Sequence, residues 1–200
     1  IVLSLLAIAA WMLPSISQGL QLDSTLVADG QWWRIWTGHL THYGVNHLFW
    51  DLLMFAALGA VCESRHRRPF AAAVAVMAAV ISAAVLVCCP LIDVYRGLSG
   101  LDTGLFVWFV ADQCRDCFRK RDRLAAMIWM VPCVGLIGKL FFEAVTGQTL
   151  FVDSSEFTPL VQSHLAGAAI GWLCSIAVDR FRTGRLHDRG TLGLSTRNLD

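Results

Sequence analysis

The chain has 200 residues, of which 56% are hydrophobic and only 16% charged, against about 25% charged in soluble domains. That balance excludes an ordinary soluble domain, and a formal net charge of +1 gives no basis for nucleic-acid binding. Seven cysteines lie mostly in apolar runs, and Cys114 and Cys117 form a lone CxxC with no second pair or nearby His, so neither a metal site nor a cofactor is expected.

A helix needs about 20 apolar residues to cross a bilayer. Residues 1–16 open inside an apolar run and read as a first span cut at its start, with residues missing upstream. No small-residue cleavage site follows that would make them a signal peptide. Residues 17–46 are too long for a simple connector and carry Trp32, Trp33 and Trp36 beside Arg34, a cluster suited to the membrane interface. Residues 47–62 form the second predicted span, apolar apart from His47 and Asp51. The third, residues 70–89, has no charge and is bracketed by Pro69 and Pro90. Residues 99–111 form a short fourth span containing Asp102, and residues 124–145 a fifth with Lys139 and Glu143 near its end. Those two are spaced i,i+4 and can partly neutralise each other. The sixth, residues 160–178, begins near His164. The expectation is an all-α membrane protein of six transmembrane helices, one domain over residues 1–182 and a polar cytoplasmic tail over 183–200.

All but three of the 16 Lys and Arg residues follow the second, fourth or sixth span, the exceptions being Arg34, Arg96 and Lys139. By the positive-inside rule those connections and both termini are cytoplasmic. Residues 17–46, 90–98 and 147–159 then face outward.

Ionisable groups inside a bilayer are costly and mark function by default. His47, Asp51, Ser99, Asp102 and His164 all fall in the outer half of their spans. Gly97-Leu98-Ser99-Gly100 sets Ser99 at a loop-to-helix junction, where unpaired N–H groups and the helix dipole favour an oxyanion. Alone, this pattern is a weak signal and more often marks a Ser-capped helix start. Gly167 and Gly171 form a GxxxG face behind His164, and Gly100 and Gly104 form a matching one behind Ser99. Such faces allow close helix contact and would bring His164 to Ser99 Oγ.

These motifs resemble the rhomboid family. Gln31-Trp32-Trp33-Arg34 is similar to its Trp-Arg motif, residues 38–51 to its His-rich entry into the second helix, residues 59–63 to the end of that helix, and the segments at 97–100 and 164–167 to its two catalytic motifs. The resemblance implies a rhomboid-like six-helix bundle and an intramembrane serine protease with Ser99 as nucleophile, His164 as base and no obligatory acid. It implies an oxyanion site of the Ser99 N–H and the His47 side chain, supported by Asp51, Gly97 and Gly100, with Trp33, Arg34 and His42 supporting the outer loop.

Asp51 stands where the family usually has Asn. Either burial keeps it protonated, or it is ionised and holds His47 as a charged donor; the second is preferred. Asp102 and Thr103 replace a customary aromatic and are candidates to orient His164. The wording is closest to rhombosortases, bacterial rhomboids thought to process substrates with a Gly-Gly-containing C-terminal anchor. The expected partners are transmembrane protein substrates and the bilayer, in a bacterial inner membrane with the site opening to the periplasm. The alternative is a non-catalytic rhomboid-like chaperone that binds transmembrane clients.

Overall fold

The computed structural model describes residues 1–150 and 159–195, with side chains described as far as residue 181. The chain begins with two short helices, α1 (Val2–Met12) and α2 (Pro14–Leu20), bent by 118° at Leu13. Pro14 causes the break: it supplies no N–H and pushes the preceding residue out of helical geometry, and Leu13 sits at φ −123°, ψ 89°. The first span expected over residues 1–16 falls on this bent pair, whose two helices are long and apolar enough to cross a membrane only taken together.

The outer loop carries a strand β1 (Leu22–Asp23), then α3 (Ser24–Ala28), α4 (Arg34–Thr37) and a 3-10 turn (Gly38–Leu40). Asp23 caps α3 by accepting the Thr25 and Leu26 N–H groups at 3.1 and 3.0 Å. Strand β1 pairs antiparallel with β2 (Val94–Tyr95), matching Leu22 to Tyr95. The first outer loop is thus tied to the segment that leads into Ser99.

Five long helices follow: α5 (Val45–Arg65), α6 (Arg67–Cys88), α7 (Ser99–Arg119), α8 (Arg123–Thr146) and α9 (Val161–Ser195). Helix α9 runs into the stretch expected to be a tail; residues 196–200 lie outside the described residues, as do residues 151–158 of the expected outer segment 147–159. Four of the described helices are long and apolar enough to cross a membrane: α5, α6, α8 and the Val161–Phe181 part of α9. The bent α1–α2 pair raises this to five.

The six-span expectation falls short at α7, which carries Asp102, Asp112, Arg115, Asp116 and Arg119. Its position explains why it tolerates them. It packs most extensively against α9 and also touches α5, α6 and α8, so protein rather than lipid surrounds much of it. Asp112 meets His66 and Arg115, and Arg119 donates to Asp179 at 2.7 Å. Met77, Ile81, Leu98, Leu105 and Trp108 are fully buried and fill the centre between α6 and α7.

Candidate active site

Ser99 begins α7 and His164 lies in the first turn of α9. The glycine faces of these helices press backbone on backbone. A Cβ added at Gly167 would fall 2.0 Å from Gly100 O, and one at Gly171 would fall 2.1 Å from Gly104 O. No side chain fits there, and the close approach brings His164 Nε2 to 3.1 Å from Ser99 Oγ. The first N–H bonded within α7 is that of Asp102, to Leu98 O at 2.9 Å. The N–H groups ahead of it therefore sit at a helix N-terminus without helical partners.

The backbone before Ser99 is held by a buried polar cluster. Gly97 has φ +118°, and a Cβ there would meet the His47 ring at 2.8 Å and Asp51 Oδ2 at 3.1 Å; both conformation and space demand glycine. Leu98 N–H donates to Asp51 Oδ2 at 2.7 Å. The same oxygen lies 3.2 Å from His42 Nε2 and 3.2 Å from His47 Nε2. The His47 ring stacks on Tyr43, over which Arg96 is placed. His39 braces the cluster from behind: its Nε2 lies 3.0 Å from Ala78 O and 3.1 Å from Ser82 Oγ. Burial pushes the pKa of His39 below the usual histidine value, which favours the neutral ring. Arg34 is buried and donates to Gln18 O and Gln21 O at 3.0 and 2.8 Å, while Trp33 Nε1 donates to Gly19 O. Those two residues tie the outer loop together, whereas His42 sits against Asp51, closer to Ser99 than its expected loop role implied.

Sequence reasoning missed the group behind His164. Its Nδ1 lies 3.0 Å from Glu143 Oε2 on α8, and Lys139 donates to Glu143 Oε1 at 2.6 Å. Asp102 and Thr103, the candidates for orienting His164, are corrected. The Thr103 hydroxyl donates to Ser99 O at 2.9 Å, one turn back on its own helix. Asp102 Oδ1 is buried with no hydrogen-bond partner among the described residues. A carboxylate in an apolar span was the signal that could have pointed to Glu143.

Ser99, His164, His47, Asp51, Asp102 and Glu143 all line one cavity of about 760 Å³, whose wall also includes Arg96, Lys139 and apolar side chains of α5, α7 and α8 such as Met54, Phe106 and Leu136. The arrangement offers a hydroxyl beside an imidazole, a helix N-terminus next to both and an apolar chamber around them, which suits acyl transfer on a mostly apolar substrate. Among the described residues no group of three or more His, Cys, Asp or Glu side chains could hold a metal ion. The family model described as the Rhomboid domain matches residues 29–181. No curated protein matches the chain.

Proposed function

The chain belongs to the rhomboid family, generally intramembrane serine proteases, and on that premise we propose that it is an intramembrane serine endopeptidase using Ser99 and His164. With four or five helices long and apolar enough to cross a membrane among the described residues, it is a multi-pass integral membrane protein. The observation that carries the proposal is the 3.1 Å contact between His164 Nε2 and Ser99 Oγ at the N-terminus of α7.

In the proposed reaction His164 Nε2 takes the Ser99 hydroxyl proton as Oγ bonds to the substrate carbonyl carbon, and the carbonyl electron pair moves onto oxygen. The Ser99 N–H and the His47 side chain receive that oxyanion. Collapse breaks the C–N bond, and the proton on Nε2 passes to the leaving amine. Water, deprotonated by the same nitrogen, then frees the acyl group and restores the Ser99 hydroxyl. The substrate is a transmembrane segment of a membrane-anchored protein that unwinds locally, because a helix keeps its carbonyls in internal bonds. The finer reading is a rhombosortase acting on Gly-Gly C-terminal anchors, supported by the Gly97–Gly100 and Ser163–Gly167 wording. Its setting is a bacterial inner membrane, with cytoplasmic termini and the cavity open to the periplasm.

A fluorophosphonate probe tests the reading. The purified chain in detergent should be labelled, and Ser99→Ala and His164→Ala should each abolish labelling. Labelling that persists in Ser99→Ala rejects the proposed nucleophile. No labelling of a folded wild type points to the client-binding alternative.

A further inference from the structure

We infer that Glu143 is a positioning residue for His164, extending the pair to Ser99–His164–Glu143 with Lys139 fixing the far carboxylate oxygen. The inference rests on the protease reading above. A base that takes a proton on Nε2 must carry its other proton on Nδ1, and a fixed acceptor at Nδ1 selects that tautomer and holds the ring. Glu143 Oε2 occupies that position at 3.0 Å.

An ordinary i,i+4 ion pair with Lys139 accounts for less than what is seen. Helix α8 is turned outward over most of its length: only Ala126 and Glu143 are buried, whereas Val131, Val134, Ile137, Phe141 and Val145 are all more than half exposed. A surface pair would leave the carboxylate outside with its lysine. Instead the Glu143 side chain is 1% exposed while that of Lys139, on the same cavity, is 27% exposed, so the acid is drawn in more deeply than its lysine and meets the histidine. The other ionisable groups lining the same cavity are Lys139 beside Glu143, Asp102 from α7, His47 and Asp51 from α5, and Tyr43, Tyr95 and Arg96 from the outer loops. Asp51 is occupied by Leu98, His42 and His47, and no hydrogen bond joins Asp102 to His164 among the described residues. Glu143 therefore holds the carboxylate position that a third triad member takes elsewhere.

When Nε2 accepts the serine proton, the ring becomes an imidazolium and its Nδ1 proton stays on nitrogen, donated to Glu143. The carboxylate stabilises that cation without itself being protonated. Glu143→Gln keeps an oxygen acceptor but removes the charge, and Glu143→Met removes both at similar volume.

The test is fluorophosphonate labelling kinetics on the full chain in detergent, with melting of each variant recorded alongside. The expected result is a fall in the maximal labelling rate of roughly 10-fold for Glu143→Gln and roughly 100-fold for Glu143→Met. The half-saturating probe concentration should stay within about threefold, and melting should still be cooperative. Wild-type maximal rates in folded Glu143→Gln and Glu143→Met overturn the inference, as does a change confined to half-saturation. So does a wild-type rate in Glu143→Gln when Glu143→Met fails to fold. Ser99→Ala keeps the two ideas apart: its silence together with wild-type Glu143 variants removes only the positioning role, whereas labelling in Ser99→Ala removes the protease reading itself.

Discussion

Asp51 Oδ2 takes the Leu98 N–H at 2.7 Å and faces the Nε2 atoms of two histidines at 3.2 Å each. The Leu98 N–H makes that oxygen an acceptor, a role open to the ionised acid and to the carbonyl oxygen of the protonated one. The bond to Leu98 adds a role the i,i+4 argument could not contain, because residue 98 comes close only once the loop is folded. Asp51 fixes the backbone immediately before the nucleophile. Asp51→Asn retains an oxygen for Leu98 and should keep labelling within roughly 10-fold of wild type. Asp51→Ala leaves the buried Leu98 N–H without its acceptor and removes the carboxylate beside both imidazoles, at a cost of about 1–3 kcal/mol, and should label more slowly than Asp51→Asn and melt lower. Equal rates and equal melting in the two variants would remove the role.

At the scale of helices, the α7–α9 contact sets the distance between base and nucleophile. The glycines 100, 104, 167 and 171 were readable as two small-residue faces because GxxxG has helical spacing and needs no tertiary information. Glu143 was not readable in the same way. Its pairing with Lys139 lies within one helix and follows from spacing, but its contact with His164 depends on how α8 is rotated about its axis, which an almost uniformly apolar surface does not encode. The same limit shortened α7: its fourth span was legible only over residues 99–111, and the charged turns that carry the helix on to Arg119 are accounted for by their partners on neighbouring helices. Gly167→Ala sets a methyl group 2.0 Å from a backbone oxygen that cannot swing away, so the helices must part. The expected cost is about 3 kcal/mol, the upper end for overpacking, with loss of labelling as His164 withdraws from Ser99. A Cβ added at Gly138 on α8 would meet no atom within 4 Å, so Gly138→Ala should melt at or slightly above wild type. A Gly167→Ala protein with wild-type melting and labelling would refute this account of the contact.

For the whole molecule, contacts of His164 with Ser99 and Glu143 and of Asp51 with Leu98 bring the Val45, Ser99, Thr146 and Val161 ends of α5, α7, α8 and α9 together, and those of His66 with Asp112 and of Arg65 with Asp116 bring together the arginine-rich ends of α5, α6 and α7. At that second end Arg65 pairs with Asp116, Arg115 donates to Ser175 Oγ at 3.1 Å and Arg119 donates to Asp179, so α5, α7 and α9 are joined by polar contacts away from the cavity. Clustered Lys and Arg at one end orient a membrane protein with that end cytoplasmic. The orientation depends on α7 crossing the membrane, although the full helix, charged toward its C-terminus, is not among those apolar enough to be read as a span. Its 21 residues extend roughly 30 Å at 1.5 Å per residue, which matches the hydrocarbon core. If α7 crosses, Cys88 at the end of α6 lies outside and Cys117 near the end of α7 lies inside. Both are free thiols, Cys88 exposed and Cys117 partly so. In single-cysteine variants, a membrane-impermeant maleimide should label the Cys88 protein in intact cells and the Cys117 protein only after permeabilisation. Labelling of both Cys88 and Cys117 in intact cells would place the arginine-rich turn on the same side as Ser99. The charge asymmetry would then no longer set the orientation, and an α7 that spans the bilayer between the cavity and the basic end would have to be abandoned.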